Sequence, residues 1–247
     1  MGNKMLELAY MSIEGMTEQE REFLYTCVTP ERREQLMSRK NRLSADLSLA
    51  GEVLARVMLW KTVRQLEEAR QSQCDSIPDD FPYSGGVSGA IQPKDFVIVR
   101  GQYGKPYQVT APGLCFHYSH GGTMVACGIA GENIGVDIQK LTEGGRVREK
   151  VYCVGEWEEG AYVDSSRYFT EVWTKKESFL KLTGEGLRRE MKSLYVRKMQ
   201  ETGEVRWYGG WVLEEYCLYA CVEGSQTACK CVPISLSEII ELITKCM

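Results

Sequence analysis

The chain has 247 residues, enough for one large domain or two small ones. Hydrophobic residues make up 43% of it and charged residues 26%, so a core can form and a disordered chain is excluded. A net charge of −4 argues against a broad nucleic-acid surface, and no apolar run approaches the roughly 20 residues of a membrane span.

Met1-Gly2-Asn3-Lys4 opens no apolar core, so no secretory signal is read and a cytoplasmic protein is expected. Of the ten cysteines, Cys127, Cys217 and Cys221 sit in apolar segments, where a thiol packs as a small hydrophobe. Cys229-Lys230-Cys231 is not a zinc spacing, and His117 and His120 are the only histidines. The first fifty residues mix Leu and Tyr with many charges, among them Arg32, Arg39 and Arg42, and no element is assigned before Ser44. Ser44 is read as the N-cap of a core helix that runs to about Ala69, on the spacing of Leu47, Leu54, Val57, Met58 and Leu66. Residues 72–104 carry Pro78, Pro82, Pro93 and the run Ser84-Gly85-Gly86-Val87-Ser88-Gly89, which is loop chemistry. Phe96-Val97-Ile98-Val99 inside that stretch is a short strand candidate, and Gly104-Lys105-Pro106 is a turn.

Leu114 to Tyr118 and Thr123 to Ala130 read as antiparallel strands joined by a tight turn at Ser119-His120-Gly121-Gly122, with another buried strand at Ile134 to Ile138. Residues 145–163 read as helix broken at Gly155 and Gly160. Ser165 or Ser166 then caps a helix to about Leu182, ended by Gly184. On its helical projection Phe169, Val172, Trp173, Lys176, Phe179 and Leu180 share one arc, with Glu177 at the edge of that arc. Strands are expected at Ser193 to Val196, Arg206 to Leu213 and Tyr216 to Val222, and a helix at Leu236 to Ile243. The fold class is α+β, with a long helix and antiparallel strands in each half. Met124-Val125-Ala126-Cys127 and Tyr219-Ala220-Cys221-Val222 echo one another, a short hint of duplication.

Asp137 closes an apolar strand, where a carboxylate is costly unless it is paired. Alone it reads as a turn aspartate, and Glu177 alone as a surface glutamate paired with Lys181 at i,i+4. Together the two carboxylates can converge on one hard cation, with lysines beside the second to hold a phosphate. That is the equipment of a Mg²⁺-dependent enzyme acting on a pyrophosphate.

Gly104-Lys105-Pro106, Ser119-His120-Gly121-Gly122, Gly135-Val136-Asp137 and Trp173-Thr174-Lys175-Lys176-Glu177-Ser178-Phe179-Leu180-Lys181 occur in that order. In this the chain resembles the 4′-phosphopantetheinyl transferases, in particular the larger Sfp-type group. The last motif has the family form Trp-Ser/Thr-x-Lys-Glu-Ser/Ala-x-x-Lys, and Ser48 to Arg56 resembles the family's N-terminal helix. The resemblance implies transfer of the phosphopantetheine arm of coenzyme A to a serine of an acyl or peptidyl carrier protein, releasing adenosine 3′,5′-bisphosphate. It implies Mg²⁺ held by Asp137 and Glu177, with Glu177 or a metal-bound water as base. Lys176 and Lys181 would stabilise the diphosphate, Ser119 and His120 would bind the 3′-phosphate, Lys105 would assist with phosphate, and Pro106 would pack near the adenine. It implies a pseudo-dimer within one monomeric chain, with halves at 1–133 and 134–247 and the site in the cleft between them.

Three positions depart from the pattern. Gln139 stands where many members have Glu, Leu47 where some have a basic phosphate contact, and Tyr118 where polar or aliphatic residues are common. The competing readings are a Mg²⁺-dependent hydrolase of nucleotide pyrophosphates and a non-catalytic module that binds coenzyme A or a carrier protein. No nucleic-acid or membrane partner is expected, and residues 141–165 are the expected carrier surface.

Overall fold

The computed structural model describes residues 5–72, 91–101, 103–186, 189–223 and 228–246. The run Ser84 to Gly89, with Pro78 and Pro82, lies outside the described residues. Strand β1 (Met5–Ser12) is followed by the short helices α1 (Glu18–Tyr25) and α2 (Pro30–Met37) and the long helix α3 (Arg42–Ser72). Next come the hairpin strands β2 (Ile98–Arg100) and β3 (Pro106–Gln108), then β4 (Cys115–Gly121), β5 (Met124–Ala130) and β6 (Ile134–Lys140). Helices α4 (Arg148–Val151), α5 (Val154–Gly160), α6 (Ser165–Thr183) and α7 (Val196–Thr202) precede β7 (Val205–Leu213), β8 (Tyr216–Glu223), β9 (Ala228–Pro233) and α8 (Leu236–Thr244).

Two sheets form the centre, one in the order β4-β5-β1-β9 and one in the order β6-β8-β7. Their pairings are antiparallel except for β1 with β9, which is parallel. Period-2 alternation divides the apolar side chains between layers. Ala9, Met11, Val125, Cys127 and Ile129 face α3, and Leu6, Leu8, Met124 and Ala126 face the second sheet. Ile134, Val136, Ile138, Leu218 and Ala220 meet them from that sheet, while Cys217, Tyr219 and Cys221 on its far side meet α6. The result is a helix–sheet–sheet–helix stack, an α+β architecture.

Helix α3 is buried nearly all round between Ala45 and Leu59, lying under both a sheet and surface helices, and its polar residues Asp46, Ser48, Glu52 and Arg56 are buried with the rest. Its cap is Asn41, whose Oδ1 accepts from Ser44 N at 3.0 Å, so Ser44 lies inside the first turn and is not the cap. Helix α6 is likewise capped one residue earlier than expected: Asp164 Oδ1 accepts from Ser166 N at 3.0 Å and Arg167 N at 3.3 Å.

Other expectations are corrected. The β4–β5 reversal falls at Gly122, at φ 59°, so Ser119 and His120 are strand residues with side chains on opposite faces. The break between α4 and α5 falls at Tyr152-Cys153, and Gly155 is helical. Ser193 to Val196 is no strand: a 3-10 turn at Met191–Ser193 leads into α7, whose first N–H, Val196 N, donates to Glu156 Oε1 at 3.3 Å. That cap comes from 40 residues away, where local pattern carries no trace of it. Strands β1 and β9 were also not anticipated.

Candidate active site

Strand β6 and helix α6 touch along the Gly135-Val136-Asp137 motif. A Cβ on Gly135 would lie 2.0 Å from Ser178 O and 2.2 Å from Leu182 N, so only glycine lets the helix backbone pass over the strand there. Two residues on, the same strand face delivers Asp137 beneath Lys181. Asp137 has no solvent exposure, and its Oδ1 accepts from Ser119 Oγ at 2.9 Å and from Lys181 Nζ. Lys181 Nζ also donates to Ser119 Oγ at 2.7 Å, and Gln139 Nε2 donates to Asp137 Oδ2 at 3.1 Å. Buried charge is tolerated here because each carboxylate oxygen has a donor. The structure thus joins Asp137, Ser119 and Lys181 directly.

Glu177 sits one helical turn before Lys181, half-buried, and accepts no hydrogen bond among the described residues. Burial pushes its carboxyl above the usual range; Asp137 adds to that rise and Lys181 opposes it.

Beside this pair lies a cleft of about 420 Å³ at the edge where β4 meets β6, between the start of α3 and the end of α6. Its charged lining is wholly basic among the described residues: Arg32, Arg39, Arg100, Lys105 and Lys181, with His117 and His120. Arg32 is held by Glu52 at 2.8 Å, and Arg39 donates to Ser48 Oγ at 2.7 Å. Arg100 donates to Gly104 O at 3.1 Å and to Tyr118 Oη at 2.8 Å, which gives the unusual Tyr118 a partner. Lys105 Nζ donates to Asn133 Oδ1 at 2.6 Å and to Leu182 O at 2.8 Å, both neutral, and burial pulls its ammonium down to about 8. Pro106 lines the same wall. His120 is exposed at the strand end, and partial enclosure, Lys181 and Arg39 hold it below the ordinary imidazole range. His117 is buried and neutral, its Nδ1 accepting from Val136 N at 3.3 Å.

Lys176 is the exception, and its expected role on the diphosphate is corrected. Its side chain has no exposure, donates to Val151 O at 2.6 Å, pairs with Glu156, and does not line the cleft. Adjacent helix positions point about 100° apart, so the motif's two middle charges serve different faces. Leu47 packs from α3 into the core, and its neighbour Ser48 faces the cleft. Sequence reasoning missed Arg100, Ser48 and His117. Ser119 carried a signal for His117, since residues two apart on a strand share a face.

Among the described residues no group of three His, Cys, Asp or Glu side chains is arranged to hold a metal. Two neighbouring carboxylates, one raised by burial and further by the other's charge, still form a donor set that suits an oxygen-liganded cation keeping several waters.

A protein-family model described as the 4′-phosphopantetheinyl transferase superfamily matches residues 133–226, the span that holds Asp137, Glu177 and Lys181. A 4′-phosphopantetheinyl transferase of Bacillus subtilis is 27% identical over 190 residues, covering 75% of this chain and 73% of that protein. The transferase Sfp of Bacillus subtilis strain 168 is 26% identical over 190 residues, with the same coverage. Over about three quarters of its length the chain is thus similar to Sfp-type 4′-phosphopantetheinyl transferases. The transferase gsp of Aneurinibacillus migulanus is 25% identical over 182 residues, covering 72% of this chain and 65% of that protein. Among the described residues, no helix of this chain is long and apolar enough to cross a membrane.

Proposed function

We propose that the protein transfers 4′-phosphopantetheine from coenzyme A to a serine hydroxyl of an acyl or peptidyl carrier protein and releases adenosine 3′,5′-bisphosphate. The carrying observation is a cleft whose charged lining is all basic, set against the carboxylates Asp137 and Glu177. Coenzyme A brings a pyrophosphate and a 3′-phosphate, and such transfer depends on positioning and charge neutralisation.

Asp137 and Glu177, with the Gln139 amide beside them, would hold Mg²⁺, which supplies charge neutralisation to the bound pyrophosphate. Ser119, His120, Arg32 and Arg39 bind the 3′-phosphate, and Lys105 and Pro106 hold the nucleotide side. The serine oxygen bonds to the β-phosphorus, its proton passes to Glu177, and the bond to the departing bisphosphate oxygen breaks. A carboxyl raised by burial holds a proton more tightly and is the better base. Lys181 stabilises the charge that develops on the departing phosphate.

We take the chain as a monomeric pseudo-dimer of halves 1–133 and 134–247, with β9 and α8 of the second half crossing back to the sheet and core of the first. This is supported by α3 packing on β5 as α6 packs on β8, each strand being internal in its sheet. The carrier docks on residues 141–165, where Val154, Tyr162 and Val163 are more than half exposed and Trp157 is 46% exposed.

The test is intact-protein mass spectrometry of an apo carrier protein incubated with this protein, coenzyme A and Mg²⁺, with an EDTA control. A metal-dependent gain of one phosphopantetheine is the expected result. Coenzyme A cleaved with no gain on any carrier would replace the transferase by a hydrolase.

A further inference from the structure

Lys176 and Glu156 are both buried, at 0% and 1% side-chain exposure, and the pair draws together four segments. Lys176 extends from α6 and also donates to Val151 O at the end of α4. Glu156 Oε2 accepts from Cys153 N at 2.9 Å at the start of α5, and its Oε1 accepts from Val196 N at 3.3 Å at the start of α7. A buried ion pair persists only where further hydrogen bonds satisfy both groups, and this pair has them. Its neighbours in sequence point both ways. Glu177 follows Lys176 on the side of Asp137 and Lys181. Trp157 follows Glu156 onto the exposed face of α5, with Val154 at 75% exposure one turn earlier. A second tie runs in parallel: the Trp157 ring meets Tyr152 edge-on at 5.1 Å, and Tyr152 meets Phe169 of α6 at 5.6 Å.

We propose that Lys176 and Glu156 are positioning residues that fix the carrier-facing surface of α5 against the helix carrying Glu177, and so govern use of the carrier protein and not of coenzyme A. This rests on the transferase reading above. The pair touches no substrate. Its effect is to set the distance between the docked carrier and the base, and near-attack geometry is sensitive to shifts of about 1 Å.

The test compares the unaltered protein with the double variant Lys176→Met, Glu156→Leu. Replacing both members by apolar residues of similar volume avoids the buried unpaired charge that one alone would leave, with loss of the hydrogen bonds to Val151 O, Cys153 N and Val196 N. Thermal unfolding reports the fold, calorimetry the Kd for coenzyme A, and steady-state transfer the KM for an apo carrier protein. The expected result is a coenzyme A Kd within about twofold of the unaltered value, a carrier KM raised about tenfold, and a smaller fall in kcat. Trp157→Ala serves as a second variant, on the half-exposed face of α5, where only the edge contact with Tyr152 is lost and thermal unfolding reports its effect on the fold. It should raise the carrier KM in the same direction and leave coenzyme A binding unchanged. A weakened coenzyme A Kd in the double variant would overturn the inference by returning Lys176 to the phosphate. A carrier KM unchanged in Trp157→Ala, or in a folded double variant, would overturn it by removing α5 from docking. Transfer absent from the unaltered protein would instead remove the transferase reading, and this inference with it.

Discussion

Gly135→Ala separates packing from chemistry at the point where β6 and α6 meet. The added Cβ would lie 2.0 Å from Ser178 O, 2.2 Å from Leu182 N and 2.8 Å from Lys181 C. Ordinary contact starts at 3.4 Å, so the shortfall is 3.4 − 2.0, or 1.4 Å, against backbone that cannot rotate away. Overpacking of this kind costs about 3 kcal/mol, the upper part of its usual range. For a chain of this size each kcal/mol lowers Tm by about 2–4 °C, so a fall of roughly 6–12 °C is expected. Helix α6 must also rise from β6, carrying Lys181 away from Asp137, and a shift of about 1 Å lowers the transfer rate roughly 100-fold. Circular dichroism melting and single-turnover transfer followed by mass spectrometry measure the two effects. A Tm and a rate both equal to those of the unaltered protein would refute the close approach and the dependence of the site on it.

Glu177→Ala should lower kcat by about 10²- to 10⁴-fold, the usual worth of a general base, while the protein stays folded. Its carboxyl is raised in the folded state, so ionising it opposes folding as pH rises through that window; at neutral pH the variant should melt no lower, and a lower Tm would contradict the assignment. His120→Ala should weaken coenzyme A more than 3′-dephospho-coenzyme A, and equal losses in calorimetry would remove His120 from the 3′-phosphate. Lys105 has its ammonium pulled down to about 8, so it loses its charge as pH rises through that value and coenzyme A affinity should fall above it. The folded state there binds fewer protons than the unfolded one, so this group's cost to stability is present below about 8 and relieved above it. Lys105→Met should abolish the alkaline loss of affinity, and an unchanged profile would exclude Lys105 as its source.

Much of the fold could be read from local pattern. The arc of Phe169, Val172, Phe179 and Leu180 gave α6 its buried face, and the apolar runs at 124–130, 134–138 and 216–222 became β5, β6 and β8. Each carries its own periodicity, so no partner is needed to recognise it. The misses share another cause. Val196 reads as a strand residue until Glu156 caps it as the first residue of α7, and a cap across 40 residues leaves no local signature. Strand β1 is hidden by the charges around it and is stabilised by both neighbours, β5 and β9. At the site, Ser119, His120, Lys105 and Lys181 were named from motifs and line one cleft, and Asp137, named with them, lies buried behind it and bonds to Ser119 and Lys181. Lys176 was carried along by its place in the same motif, although the projection had already put it on the buried arc with Phe179. Arg100 escaped notice because its role depends on Tyr118 and Gly104, brought to it by the β2–β3 hairpin.

The parallel pairing of β1 with β9 sets an order on biosynthesis. Residues 5–12 leave the ribosome long before residues 228–233, so one edge of that strand stays open until β9 is made, and Ile239 and Ile243 of α8 then fill the core beneath α3. Through most of translation the nascent chain therefore carries an unpaired edge strand of apolar character, the kind of template that invites pairing with other chains. Expression at lower temperature, or with chaperones that shield such an edge, should raise the yield of folded protein, and removal of residues 228–247 should send the remainder to aggregates even though Asp137, Glu177 and Lys181 are all retained.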